Sequence, residues 1–325
     1  MRPTVTDVAR KAGVSPSTVS RALGGGIVSE TTKAAVLAAA SALGYTPNRA
    51  ARALIGGRTD NIGLLVPDIA NPFFTEIVKS VSAHVRRSEY QLLLGSSDED
   101  TAREREMAQA LQRTCDGVIA CSPRMSDEEV CANADARTTV IVNRLIDGMS
   151  CVTADPTSGM EQAVQHLAAL GHKHIAYVKG PAGSWSEQRR VEGLKLAQQL
   201  GMEVELIQSV TPTYNSGTLA ADLVLMSKAS AVIAFNDLLA IGILNRLEAR
   251  GVDVPNDISL IGNDDIDMAS MCRPQLTTIA SPKEQMGALA AELLPRLLQS
   301  GGAEPEQIVL PATLVVRGST AVARV

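Results

Sequence analysis

The chain has 325 residues, 45% of them hydrophobic and only 2% aromatic, with 30 basic and 35 acidic side chains for a formal net charge of −5. That length supports more than one buried core, and no run of 18 or more apolar residues is present to span a membrane. Arg2, Asp7, Arg10 and Lys11 interrupt any signal-peptide core, and the five cysteines (Cys115, Cys121, Cys131, Cys151, Cys272) form no CxxC pair, so reduced thiols and a cytoplasmic location are expected.

The charge is uneven. Residues 1–60 carry eight basic against three acidic side chains, a net +5, and the rest of the chain carries −10. A small basic head on an acidic body points to a polyanionic partner. A chance fluctuation in a short segment is the alternative that charge alone leaves open.

The stretch DVARKAGVSPSTVSRAL, residues 7–23, predicts two short helices. Thr6 is placed to cap the first, with Val8, Ala9 and Ala12 on one face, and Gly13 suits the left-handed residue that ends it. Ser15 caps the second, and Pro16 fits its first position, where a missing N–H costs nothing. Val19, Ala22 and Leu23 then face inward, with Ser17, Thr18, Ser20 and Arg21 outward. Ser29 caps a third helix, TTKAAVLAAASAL, which stops at Gly44. Two helices around a glycine-containing turn make a helix-turn-helix pattern. The second helix of that motif enters the major groove by its N-terminal residues. Its hydroxyls reach phosphates, and Arg21 can pair both guanine acceptors. An ordinary helical cap with a polar surface is the competing reading; caps, turn, charge and apolar spacing agree on DNA.

Residues 48–60, NRAARALIGGRTD, contain helix formers in too short a run for a stable isolated helix, and Gly56–Gly57 break it. From residue 61 short apolar runs (IGLLV, GVIA, TVIV, HIAYV, AVIAF, ISLIG) alternate with helical stretches. This is βαβ organisation with parallel sheets, long enough for two stacked α/β lobes. Ligands of open α/β sheets sit beyond the C-terminal strand ends.

All three Phe and the one Trp of the eight aromatics fall there. Phe73 and Phe74 follow IGLLVPDIANP, Trp185 follows HIAYVKGPAGS, and Phe235 closes AVIAF. They read as stacking platforms for a small ligand or as lobe-core residues, Phe235 most readily as core. Asn71, Asp98, Asn143, Arg144, Arg190, Asn236, Asp264 and Asp265 fall at the same ends. Carboxylates, amides and guanidinium groups suit a polyhydroxylated ligand, because each hydroxyl both donates and accepts. Asp98 as a helix cap and Asp265 as a solvated turn residue are the plain alternatives.

The segment VTDVARKAGVSPSTVSRAL, then VSETT and LGYTPNRAARAL, resembles the head of the lactose-repressor (LacI/GalR) family of bacterial transcription regulators. The resemblance implies that Pro16, Ser17 and Arg21 face base edges. It puts Thr4, Ser15, Thr18, Ser20, Ser29 and Thr32 on phosphates, with Tyr45 and Asn48 nearby. Pro16 offers no side-chain hydrogen bond, so readout there rests on van der Waals contact. The resemblance makes 48–60 a hinge helix that folds on DNA, with Leu54 as the leucine that wedges into the minor groove. GPAGSWSEQRRVEG, NDLLAIG, VPNDISLIGNDD and PQLTTI resemble motifs shared with periplasmic sugar-binding proteins. The implied organisation is a head at 1–47, the hinge, and a core at 61–325. The core's N-lobe is expected at about 61–155 and 286–310, its C-lobe at about 156–282 and 311–325. The ribose-binding pattern is matched by Asn71, Phe73, Phe74, Arg144, Arg190, Asn236 and Asp264, with Tyr214 at an aromatic position. Asn143, Asn263 and Ser281 depart from it, standing where that pattern has an aspartate, an aromatic and a glutamine.

No GxxxxGK[ST], GxGxxG or GxSxG motif is present, and no nucleophile–base pair or metal spacing supports turnover. His172 and His174 in GHKHI have no Cys or Glu partner in the pattern, so neither a metal nor a cofactor is expected. The reading is a non-enzymatic, homodimeric DNA-binding repressor. Its partners are a near-palindromic operator and a small polyol of pentose or nucleoside size. The open alternatives are a core that answers to a partner protein or to another metabolite, and a sugar-binding transport protein.

Overall fold

Thr4, not Thr6, starts the first helix, α1 (Val5–Ala12). Its hydroxyl caps the Asp7 N–H while the Asp7 carboxylate reaches back to the Thr4 N–H, a reciprocal pair that Thr6 has no acid to make. Gly13 ends α1 at φ 69°, and Ser15 caps α2 (Pro16–Leu23) with Pro16 at its first position. Ser29 caps α3 (Glu30–Leu43), which ends at Gly44. Val8, Ala9, Val19, Ala22, Val36, Ala39 and Ala40 form the buried centre of this three-helix unit.

This is a computed structural model, and it describes residues 3–24, 26–45, 58–88, 90–208, 211–300 and 304–324. The chain divides after Asp60. Beyond that point two six-stranded sheets are built. The first orders β11 (Gln307–Leu310), β5 (Ser150–Ala154), β4 (Thr139–Val142), β3 (Gly117–Cys121), β1 (Asn61–Val66) and β2 (Gln91–Ser96), all parallel. The second orders β12 (Thr313–Val315), β10 (Thr277–Ala280), β9 (Ser259–Asp264), β8 (Ala231–Ala234), β6 (His174–Val178) and β7 (Glu203–Ile207). Only β12 runs antiparallel to its neighbour.

Both faces of each sheet are covered, which is why the central strands read as continuous apolar runs. Ile62, Leu64 and Val66 pack toward α4 (Pro72–Val85), and Leu65 packs with Leu111 of α5 (Thr101–Thr114) on the other face. The short α6 (Asp127–Asn133) follows β3. In the second lobe, Ile175 and Tyr177 share a core with α7 (Pro156–Ala169), α8 (Trp185–Leu194) and the four-residue α9 (Leu196–Gln199). Ala176 and Val178 share the opposite one with α10 (Tyr214–Met226) and α11 (Asp237–Ala249). The two helices approach so closely that a Cβ on Gly217 would run into the Leu239 carbonyl, and one on Gly242 into that of Tyr214. After α12 (Asp267–Met271) and β10, α13 (Lys283–Ser300) returns to pack on α4. The chain therefore passes between lobes three times: after β5, after β10, and between β11 and β12. No helix of the described residues is long and apolar enough to cross a membrane.

Candidate functional site

The polar residues of the head sit at helix starts. Ser15 Oγ lies 2.8 Å from Ser17 Oγ and 2.9 Å from Thr18 Oγ1; Ser29 Oγ makes the same contacts with Thr31 and Thr32. Ser15, Pro16, Ser17, Arg21 and Ser29 are exposed, and Thr18, Ser20 and Thr32 are half-buried. Thr4 is exposed but bonded to Asp7, and Tyr45 packs against the three-helix core. The first turn of α2 has no acidic residue. Pro16 has no N–H and those of Thr18 and Val19 are bonded to Ser15, so this end offers a phosphate chiefly the positive end of the helix dipole, with no acid beside it to repel one. Asn48 and Leu54 lie outside the described residues.

In the second unit, the C-terminal strand ends of both sheets converge on a narrow cleft that opens to solvent. The first lobe supplies Asn71, Phe73, Phe74, Glu99, Ser122, Arg124 and Asn143. The second supplies Ser186, Arg190, Pro212, Phe235 and Asp264. Asn71 caps α4 and turns Phe73 and Phe74 inward as an edge-to-face pair, centroids 5.1 Å apart. Arg124 grips Glu99 with two hydrogen bonds, Nε to Oε2 at 2.5 Å and Nη2 to Oε1 at 2.9 Å. Asn143 Nδ2 donates to Ser122 Oγ at 2.8 Å. Opposite, the Arg190 guanidinium stacks 4.4 Å from the Phe235 ring centre and donates from Nη1 to the Phe235 carbonyl. Its Nη2 is 3.7 Å from Asp264 Oδ1, and its buried Nε has no hydrogen-bond partner among the described residues. Burial pushes Asp264 up to about 7 against the pull of Arg190, with Asp237 raising it further. Asp237, buried at the start of α11, is pushed up to about 6 by burial against its bonds from Thr278 and the Ile266 N–H.

Four lining residues hold left-handed backbone: Glu99 (φ 62°), Ser122 (47°), Asn143 (61°) and Asp264 (118°). Such conformations cost on the order of 1–3 kcal/mol each and gather where a site needs side chains aimed off the regular path.

Five expected ligand residues lie elsewhere. Asp98 is an exposed partner of Arg103, 2.7 Å away; the next residue, Glu99, enters the cleft instead. Arg144 is buried, but its guanidinium is committed to the Pro123 and Met125 carbonyls and to Asp127. Trp185 opens α8 half-buried and outside the lining, while Ser186 points in. Tyr214 is 40% exposed and accepts from Asn245; Pro212 lines the cleft in its stead. Asn236 caps α11 and donates to the Pro212 carbonyl. Phe235, read first as core, is both buried and part of the cleft wall. Asp265 is no free turn residue, since Arg317 pairs with it at 2.7 Å. His172 bonds to Ser230 and the Ala321 carbonyl, and no group of three metal-ligating side chains exists among the described residues.

A helix-turn-helix head and a two-lobed core with a polar interlobe cleft define a class of regulator, and comparison with known proteins agrees. Residues 4–48 match the family described as bacterial regulatory proteins, lacI family, and residues 164–320 match the periplasmic binding protein-like domain. The HTH-type transcriptional regulator DegA of Bacillus subtilis (strain 168) is 35% identical, with 98% of each chain covered. A lac repressor dimer, solved bound to operator and the anti-inducer ONPF, superposes with a TM-score of 0.86 at 26% identity, covering 99% of this chain and all of that one. A LacI family regulator from Enterococcus faecium, solved with bound ribose, is 31% identical with a TM-score of 0.72, covering 81% of this chain and all of that one. The chain belongs to the LacI family. It is a DNA-binding transcriptional regulator, not an enzyme.

Proposed function

We propose that this regulator is a repressor controlled by a small neutral polyol, an aldopentose such as ribose or a ribose-containing nucleoside, held in the interlobe cleft. The observation that carries the reading is the cleft wall itself. Phe73, Phe74 and Phe235 offer apolar faces for the C–H side of a sugar ring, and Asn71, Asn143, Arg190 and Asp264 offer paired donors and acceptors for its hydroxyls. Both cleft arginines already face carboxylates, which favours a neutral ligand over a phosphorylated one. The Enterococcus faecium relative with ribose bound supports the ligand class.

Two copies pair in this reading. Leu219, Leu223 and Met226 of α10 recur at one helical face and are exposed, Met226 to 84%, and Leu93 and Leu94 of the edge strand β2 are exposed as well. A two-fold dimer reads a near-palindrome. In each head Pro16, Ser17 and Arg21 meet base edges, and Thr4, Ser15, Thr18, Ser20, Ser29 and Thr32 meet phosphates beside Tyr45 and Asn48. Leu54 wedges into the minor groove. Lobe closure on the ligand shifts the hinge between ordered and disordered states and so changes operator affinity.

The test is calorimetry of the full chain with ribose, adenosine and ribose 5-phosphate, alongside gel shifts on DNA selected from a random pool. Ribose or adenosine at 100 times its dissociation constant stabilises the fold by about 2.7 kcal/mol. Arg21→Ala costs about 1–3 kcal/mol on the selected site and relaxes one base pair per half-site. Preference for the phosphorylated sugar, or no response to any of the three, overturns the ligand class.

A further inference from the structure

Lys283 is the first residue of α13 and the one lysine buried among the described residues, 6% exposed. Neither position suits a lysine. Burial strips the ammonium of water, and the first turn of a helix turns the positive end of its dipole toward it. Three acceptors offset that. Nζ donates to the Asp264 carbonyl at 2.5 Å and to the Asp265 carbonyl at 2.7 Å, and Glu76 Oε2 lies 3.5 Å away.

Those acceptors come from both lobes. Only Ser281 and Pro282 separate Lys283 from β10, so it stands in the second passage of the chain between the lobes. From there α13 belongs to the first lobe: Ser80 Oγ of α4 donates to the Glu284 carbonyl at 2.7 Å and fastens the start of α13 to α4. Glu76 is on α4 too, one turn beyond Phe73, which lines the cleft. Asp264 ends β9 in the second lobe, and Asp265 follows it. Lys283 itself does not line the cleft. It reaches from the helix that carries the aromatic wall to the backbone that carries the acid of the other wall.

That backbone needs holding. Asp264 (φ 118°) and Asp265 (φ 53°) are consecutive residues at positive φ, a region that L side chains disfavour. Arg317 pairs with Asp265 at 2.7 Å, buried Asp237 of α11 accepts the Ile266 N–H at 2.9 Å, and Lys283 takes the two carbonyls. The same groups set the local charge. Burial favours the neutral Asp264 carboxyl; Arg190 of α8 opposes it, Asp237 adds to it, and Lys283 opposes it again. Glu76 is raised by burial against the pull of Lys283, and Asp267 of α12 and Asp265 raise it further.

We infer that Lys283 is a positioning residue of the cleft: it fixes Asp264 from behind and, through Glu76, ties it to the wall of Phe73 and Phe74, so that the two walls respond as one and sugar affinity depends on the tie. The sugar part rests on the polyol reading above; the tie itself does not.

The experiment is fluorine NMR of the full chain carrying fluorophenylalanine at its three phenylalanines, two on the first wall and one on the second. Without sugar, the pH is taken from about 5 to about 9, either side of the Asp264 titration at about 7. The Phe235 signal follows that titration, Phe73 and Phe74 follow with the same midpoint, and Asp264→Asn abolishes all three responses. Lys283→Met keeps the length of the side chain and removes its charge and donors. It moves the Phe235 midpoint up by about half a pH unit or more and uncouples Phe73 and Phe74. Glu76→Gln leaves the Phe235 response in place and uncouples Phe73 and Phe74 as well. In calorimetry ribose binds Lys283→Met at least about tenfold more weakly than the parent. A Phe235 midpoint unmoved in Lys283→Met, Phe73 and Phe74 that still track Phe235 in either variant, or ribose bound equally by the parent and Lys283→Met overturns the inference. A parent that binds no ribose counts against the polyol alone, and the fluorine signals then decide the tie. Should Lys283→Met fail to fold, Glu76→Gln decides it by whether Phe73 and Phe74 still follow Phe235.

Discussion

The two walls of the interlobe cleft use the same pair of residue types to different ends. On the first wall Arg124 and Glu99 lock together by two short bonds, and the Arg124 backbone is held by Glu104. On the second, Arg190 touches Asp264 only at 3.7 Å and leans instead on the Phe235 ring and carbonyl, with its Nε free of partners among the described residues. Asp264, at about 7, can carry or lose its charge near neutrality. A bidentate buried pair is finished structure, whereas a loose pair with spare donors is poised to be completed by something else. The first wall reads as frame and the second as the adjustable side.

Breaking the frame gives the largest effect. Arg124→Ala removes one partner of a buried pair and costs about 3–5 kcal/mol of stability in chemical denaturation with no sugar present. A loss below 1 kcal/mol erases the contrast between the walls. The pH dependence of the second wall comes next. Asp264 titrates at about 7 when folded against an ordinary 3.8, so the unfolded chain ionises first. The native state therefore loses stability as pH rises from about 4, and the loss levels off above about 7, up to about 4 kcal/mol in all. Asp264→Asn removes that penalty: its melting temperature matches the parent's near pH 4 and exceeds it increasingly toward pH 8. A parent that grows more stable than the variant across that window contradicts the assignment.

Arg190→Ala sharpens the comparison from the ligand's side. Asp264 can take up a proton when its cation is gone, so the sugar-free fold tolerates the change. Sugar binding loses a charged partner worth about 1.5–3 kcal/mol, some 10–100-fold in affinity by calorimetry. Unchanged affinity moves the ligand away from this wall. The smallest effect belongs to the strained backbone of the frame. Asn143→Ala, at φ 61°, costs about 1–2 kcal/mol, and Asn143→Gly costs less in the same denaturation measurement, because glycine accepts that conformation.

The head was open to a residue-by-residue reading because its determinants are local. Gly13, Ser15, Pro16, Ser29 and Gly44 act on neighbours within one turn, and each is where the helix ends require it. Even there the cap falls on Thr4 and not on Thr6, because Asp7 stands three residues after Thr4 and completes the reciprocal pair. In the core, the strand-end rule reached Asn71, Phe73, Phe74, Asn143, Arg190 and Asp264. It failed where the last step is set by backbone hand or by distant carbonyls. The left-handed turn after β2 sends Glu99 rather than Asp98 inward. Arg144 is drawn off by Pro123 and Met125, which no local pattern announces. Ser122 and Arg124 sit in a loop whose CSPR sequence looks ordinary until Glu99 and Glu104 are brought to it.

The three passages of the chain between the lobes bear on how such a protein diversifies. Neither lobe is a contiguous stretch of gene: β11 completes the first sheet and β12 the second, within one short terminal segment. A single genetic crossover anywhere between β1 and β11 would give the first sheet strands from two parents, and one anywhere between β6 and β12 would do the same to the second. Lobes are therefore not inherited as exchangeable modules. The head, which ends once and for all at Asp60, can be traded whole. New DNA addresses are open to recombination, while new ligands have to be reached by substitution at the strand ends, one side chain at a time.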